Sequence, residues 1–172
     1  MENTQPKTGK FALRFGLILG AISIVFSLML FSLDMHYEQN TAAGIIGIVV
    51  MAAVVSIAIF QYRKANNNVL TLSQALKVGI GVALIAGVIG VIYQYLLVNV
   101  IDASFMEKFA EMQRAKLTEM GKFTSEEIDK QIEASKNYFW IGYPIALIMS
   151  LFFGFIVSLI AGLIMKKAPS EY

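Results

Sequence analysis

Four stretches of this chain carry no aspartate, glutamate, lysine or arginine: Phe15 to Leu33, Thr41 to Tyr62, Val78 to Ile101 and Asn137 to Met165. A helix rises 1.5 Å per residue, so roughly 20 apolar residues cross the hydrocarbon of a bilayer. A charged side chain at the centre of a span costs about 2.5–3.5 kcal/mol on insertion scales. Four long runs that all avoid that cost are hard to reconcile with a water-soluble core. The expectation is an all-α integral membrane four-helix bundle, one membrane domain over residues 1–172, with spans at about 15–33, 41–62, 78–101 and 137–165. Composition agrees: 57% of the residues are hydrophobic and 15% charged, against about 45–50% and about 25% in soluble domains.

Lys7, Lys10 and Arg14 precede the first run as the basic region of a signal peptide would. A signal's apolar stretch is about 7–15 residues and ends at a small-x-small cleavage site. This run continues through Leu28, Met29, Leu30 and Phe31 to Asp34 without such a site, so it reads as a retained span.

Orientation follows from where the cations fall in short loops. Lys7, Lys10 and Arg14 precede span one, Arg63, Lys64 and Lys77 lie between spans two and three, and Lys166 and Lys167 follow span four. These three segments share one side, read as cytoplasmic, so both ends are expected in the cytoplasm. The other side receives the link from Asp34 to Asn40, with Asp34 and Glu38, and the long segment 102–136.

That long segment is read as an extracytoplasmic helical insertion. Phe105, Phe109, Met112 and Met120 recur near three-and-four spacing with charges between them, the mark of an amphipathic helix. Gly121 interrupts it. Thr124 with Glu127 reads as a capping box that restarts a helix, and Thr71 with Gln74 as another at the start of span three. Tyr138, Phe139 and Trp140 suit the membrane interface ahead of span four.

Chemistry is sparse. With no cysteine there is no thiolate ligand or nucleophile, and the single histidine, His36, has no second histidine to complete a metal site. His36 beside Asp34 and Glu38 therefore reads as a solvated side chain of a short turn. The acids of segment 102–136 have bases at helical spacing, Glu107 with Arg114, Glu126 with Lys130 and Glu133 with Lys136, the pattern of a solvated face and not of paired catalytic carboxylates. No phosphate loop, nucleophile elbow or metal signature occurs. The small residues Gly16 and Gly20, Gly79, Ala83 and Gly87, and Gly154, Ser158 and Gly162 repeat every fourth position, which in lipid serves close helix packing. Gln94 and Asn99 are the candidate intramembrane polar groups. A net charge of +2, without a basic face, gives no indication of nucleic acid.

Several short blocks carry a resemblance: Phe60-Gln61-Tyr62-Arg63, Leu72 through Gly79, Ile101 through Phe105, Glu119 through Ile128, and Gly154 through Ile160 ahead of Lys166-Lys167. They resemble the bacterial family called domain of unknown function 4199 over nearly the whole chain. The resemblance implies a four-span inner-membrane protein of Bacteroidetes-like bacteria, with no activity, cofactor or catalytic residue attached. Ala103 stands where such sequences often carry proline.

The functional expectation is a non-enzymatic membrane interaction or scaffold protein of the cell envelope, without cofactor, metal or catalytic residues. Its interaction surface is the stripe Phe105, Phe109, Met112 and Met120, facing the bilayer, an envelope protein or a second copy. The alternative is a small transporter or permease-like subunit, working as an oligomer through Gln94 and Asn99.

Overall fold

The computed structural model describes residues 5–37 and 41–168; Glu38, the second acid of the first link, lies outside that range. The described chain is all-helical: α1 (Thr8–Ser32), α2 (Thr41–Ala65), α3 (Leu72–Leu96), α4 (Phe105–Met120), α5 (Ser125–Asn137) and α6 (Gly142–Met165). A π turn, Leu97–Ile101, prolongs α3, and a 3-10 turn, Phe139–Ile141, precedes α6. Four helical segments are long and apolar enough to cross a membrane: Thr8–Ser32, Thr41–Ala65, Leu72–Ile101 and Phe139–Met165. They overlap the four uncharged runs without sharing their bounds: α1 starts earlier, at Thr8, α2 ends later, at Ala65, and the fourth segment starts at Phe139, two residues inside its run, because Asn137 closes α5. Absence of charge marks the hydrocarbon boundary, whereas a helix continues into the headgroup layer, where Lys10, Arg14, Arg63 and Lys64 can extend their ends toward water.

Local chemistry sets the helix ends. At α3 the Thr71 hydroxyl accepts from the Gln74 N–H at 3.2 Å, while the Gln74 side chain accepts from the Thr71 N–H at 2.9 Å. Thr124 and Glu127 repeat the arrangement at α5, at 3.3 and 2.8 Å. Both boxes lie where the spacing predicts them. Helix α4 stops at Gly121, whose φ of 63° is open to a residue without Cβ. Helix α1 stops differently: Asp34 takes φ 54°, its N–H reaches Phe31 O at 3.1 Å, and the Met35 N–H reaches Leu30 O at 2.9 Å. That pair of bonds turns the chain sharply, with aspartate where glycine is usual.

Helix α3 is the centre of the bundle, flanked by α1 and α6, with α2 laid across all three. The α1–α3 and α3–α6 contacts are made through glycine. A Cβ on Gly16 would stand 2.6 Å from Ile85 Cβ, one on Gly20 2.6 Å from Ile89 Cδ1, and one on Gly162 2.8 Å from Ala75 Cβ. Gly79 abuts Ser158 and Gly154 abuts Ala83, so the two small-residue stripes meet face to face. They pack this chain's own bundle, as the spacing suggests. The Ser150 hydroxyl adds an interhelical bond to Ala83 O at 3.0 Å.

The largest core cluster lies toward the end of the bundle that carries the chain termini. It joins Phe15 and Leu19 of α1, Val54 to Tyr62 of α2, Leu70, Ala75, Val78 and Val82, and Ala161 of α6. The buried residues of α2 all fall between Val54 and Tyr62. Its other half exposes Ile45, Ile46 and Val49. Beside this core, Leu70 and Lys167 exchange two backbone hydrogen bonds at 3.0 Å, fastening the end of α6 to the α2–α3 turn. At the opposite end α4 and α5 pair through Ala110, Leu117, Ile128 and Ile132 and form a cap.

Candidate functional site: a cleft under the helical cap

The cap is tied down by one carboxylate. Asp102 follows the π turn directly, its N–H bonded to Leu97 O at 2.9 Å. Its Oδ1 accepts from the Ser104 N–H at 3.0 Å and the Ser104 hydroxyl at 2.7 Å, an Asx turn that starts α4. Its Oδ2 accepts from the Tyr37 hydroxyl at 2.6 Å and lies 3.2 Å from His36 Nε2. Lys108, one turn into α4, donates to the Tyr37 oxygen at 3.1 Å and lies over its ring at 5.0 Å. The α1–α2 link and the α3–α4 junction, some 66 positions apart in sequence, are thereby joined. Burial alone would raise the Asp102 pKa, but hydrogen bonds from Tyr37, Ser104 and His36 outweigh it and hold the carboxyl well below its ordinary range. The Tyr37 hydroxyl beside Lys108 raises that ammonium above its ordinary value.

His36 is therefore not the solvated turn residue its sequence neighbourhood suggests. Its side chain is 4% exposed and lies between Phe31, at 4.8 Å between ring centres, and Tyr37, at 3.7 Å. With Asp102 ionised, the Nε2 facing it carries the proton, and Nδ1 is left buried without a partner. The partner at position 102 is remote in sequence, and nothing local to residues 34–40 points to it. Among the described residues no three His, Asp or Glu side chains converge as a metal site would require.

The apolar stripe of α4 is turned inward, which corrects its reading as a free surface. Phe105 is 3% exposed and packs with Tyr37 and Val98, while Phe109 and Met112 are half-buried against the same cluster. Phe105, Phe109 and Phe139 are in mutual ring contact at 5.6–6.0 Å, and Phe139 passes the chain of rings on to Tyr143 at 6.0 Å. Only Met120 of the stripe, 58% exposed, presents itself to solvent. The stripe is what seats α4 on the bundle. Arg114 is likewise re-paired: it bonds Asp129 of α5 instead of Glu107, while Lys130 and Glu126 pair at 2.8 Å as their spacing predicts.

Beneath the cap lies a cleft of about 660 Å³. Its walls are Leu19 and Ser23 of α1, Gly47 and Met51 of α2, Ala86, Gly87, Gly90, Val91 and Gln94 of α3, and Gly142, Tyr143, Ala146 and Ser150 of α6. Phe109, Gln113, Ser135, Tyr138 and Phe139 roof it. A second cavity of about 330 Å³ inside the cap shares Phe109, Gln113 and Ser135 with it and reaches Lys116. Three glycines of the cleft differ from those that pack helices: a Cβ at Gly47, Gly90 or Gly142 would meet nothing within 4 Å. Each costs its helix up to about 1 kcal/mol against alanine and returns no close contact, so what these positions provide is open space.

Residues 14–167 match the model of a family described as protein of unknown function, DUF4199. The chain belongs to the DUF4199 family. The match includes the small-residue contacts, the Asp102 latch, the cleft and the Leu70–Lys167 clasp of this DUF4199 protein. No curated protein and no solved structure matches it.

Of the two polar residues singled out inside span three of the DUF4199 chain, Gln94 faces the cleft and Asn99 does not. Gln94 lines the main cleft and also a smaller space of about 150 Å³ with Ser27 and His36. Asn99 is exposed on the outside of the π turn and donates to Tyr95 O at 2.8 Å. The two do not form one site, because five residues of α-helix and π turn carry them to different faces.

Proposed function

We propose that this DUF4199 protein is a non-enzymatic interaction protein of the bacterial inner membrane, with both ends in the cytoplasm and the α4–α5 cap outside, and that its partner is a component of the bilayer held in the cleft. The positive charges of the N-terminal segment, the α2–α3 turn and the Leu70–Lys167 clasp support the orientation. The single observation that carries the binding role is the space itself, about 660 Å³ bordered by three unfilled glycines. That volume falls within the roughly 300–1,000 Å³ of ligand pockets. A gap of this size at membrane depth does not stay empty, since bilayer molecules gain dispersion contacts by filling it. The second reading, an oligomeric permease-like subunit, keeps Gln94 in the cleft and has Asn99 on the outer face, so within one copy the two do not share a path.

The test is occupancy. Protein extracted in mild detergent and weighed by native mass spectrometry is expected to carry a membrane-derived molecule, and the Gly90→Leu variant, which fills the cleft where a Cβ has room, is expected to lose it. Equal retention by both proteins would remove the binding role.

A further inference from the structure

The shape and polarity of the cleft select among bilayer molecules, a selection that rests on the binding role just proposed. One turn of helix, about 10–12 Å across and 5.4 Å long, fills roughly 400–600 Å³, so about 660 Å³ seats one extended chain along its length more readily than a helix of several turns. At about 30 Å³ per water-sized group, the same space takes on the order of twenty such groups, the size of one acyl chain with its first polar linkage.

The depth points the same way. From Ala86 to Gln94 the α3 wall of the cleft runs eight residues, about 12 Å at 1.5 Å each. One leaflet of hydrocarbon is about 15 Å, half of the usual core. The cleft therefore starts near the middle of the bundle and ends under the cap, spanning one leaflet and not two. Its polarity is graded along that axis. Leu19, Met51, Ala86 and Gly87 line the deep end with Ser150, Ser23 follows one turn above Leu19, and both side-chain amides of the lining, Gln94 and Gln113, stand with Ser135 at the cap end. Among the described residues no charged side chain lines it. Ser150, lower down, already spends its hydroxyl on Ala83 O.

We infer that the cleft holds a single-chain amphiphile of the cap-side leaflet, its chain lying along α3 past Gly90 and an uncharged hydrogen-bonding group (ester, amide or hydroxyl) held at Gln94 and Gln113. A chain in this position fills the space left by the glycines and satisfies the amides at its polar end. The chemistry recognised is that of a monoacyl lipid, and the abutting cavity that reaches Lys116 leaves room for the remainder of its head.

Reconstituted in phosphatidylcholine vesicles, the full-length protein can be photolabelled with three probes bearing a diazirine on a chain of equal length: a monoacylglycerol, a diacyl phosphatidylcholine and an alkane. The monoacylglycerol is expected to label the cleft residues Met51 and Val91, located by fragment sequencing, in preference to the lipid-facing Ile45 and Ile92. Gly90→Leu should cut that labelling about tenfold, a difference of about 1.4 kcal/mol, and the outward-facing Val88→Leu should leave it unchanged. Gln94→Leu should lower monoacylglycerol labelling about fivefold, the worth of one net hydrogen bond, without lowering that by the alkane. Cleft labelling by the diacyl probe equal to that by the monoacyl probe, or a Gln94→Leu protein labelled like wild type, would overturn the assignment of the ligand while leaving a bilayer partner in place. Labelling no stronger in the cleft than at Ile45 and Ile92 with every probe would overturn both.

Discussion

Among the described residues, Asp102 concentrates more polar contact than any other side chain outside the helix caps. Three side chains and one backbone N–H donate to a carboxylate that is 9% exposed. Such bonds to a charged acceptor are worth about 1.5–3 kcal/mol each when one partner is removed. Asp102→Ala is therefore expected to loosen the cap by about 2–4 kcal/mol, measured as faster protease cleavage near Ser104 relative to wild type. Tyr37→Phe, which removes one donor and frees Lys108, should give a smaller effect of the same sign. The acid dependence has a definite direction. Because the folded carboxyl titrates below the ordinary value of 3.8, the stability it lends is whole at neutral pH and down to that value, and drains as the pH falls further through the folded pKa. Replacing Asp102 by Asn should flatten this acid limb of a cleavage-against-pH profile. His36 illustrates why the latch is not legible in the sequence. Position 36 sits in a short polar turn between two spans, and its partner stands among the many charges of a distant loop.

Elements are far more legible than contacts. Both capping boxes, the break at Gly121 and the four spans follow from spacing alone, because each is decided within a few residues. The inward face of α4 does not, since an amphipathic helix shows that it has an apolar side without showing what covers it. Thr124→Ala removes the acceptor for the Glu127 N–H and should cost α5 about 1 kcal/mol, seen as faster amide exchange in its first turn, while the Glu127 carboxylate keeps the bond from the residue-124 backbone N–H, the larger cause of its lowered pKa, and loses only that from the hydroxyl. Among the glycines the expected outcomes divide by what a Cβ meets. Gly154→Leu drives a side chain into Ala83 and should abolish the monodisperse folded protein on size-exclusion chromatography, whereas Gly90→Ala should be tolerated or slightly stabilising, by up to about 1 kcal/mol.

For the whole molecule, the arrangement of four apolar helices with a polar helical pair at one end is readable from charge and length, and the cleft is not. Spacing marks Gly87 as the third member of the stripe that starts at Gly79 and passes over Gly90, yet it does not show that a Cβ at Gly87 would meet Leu147 and Ser150 while one at Gly90 would meet nothing. Only the positions of the neighbouring helices separate them. Orientation can be tested directly, because the chain has no cysteine of its own. An impermeant thiol reagent applied to intact spheroplasts should label Glu119→Cys in the cap and spare Lys10→Cys and Lys166→Cys; the opposite pattern would invert the molecule in the membrane.

The glycine seams that lock α1 and α6 onto α3 leave those three helices no latitude to slide, while the buried residues of α2 are confined to Val54 through Tyr62. Mechanically α2 is a beam seated at one end, by Val54 through Tyr62, with Ile45, Ile46 and Val49 exposed along the other. Lateral pressure in the cap-side leaflet would thus be felt mainly as a tilt of this one helix, widening or narrowing the slot beside Gly47 while the remaining bundle moves as a single block.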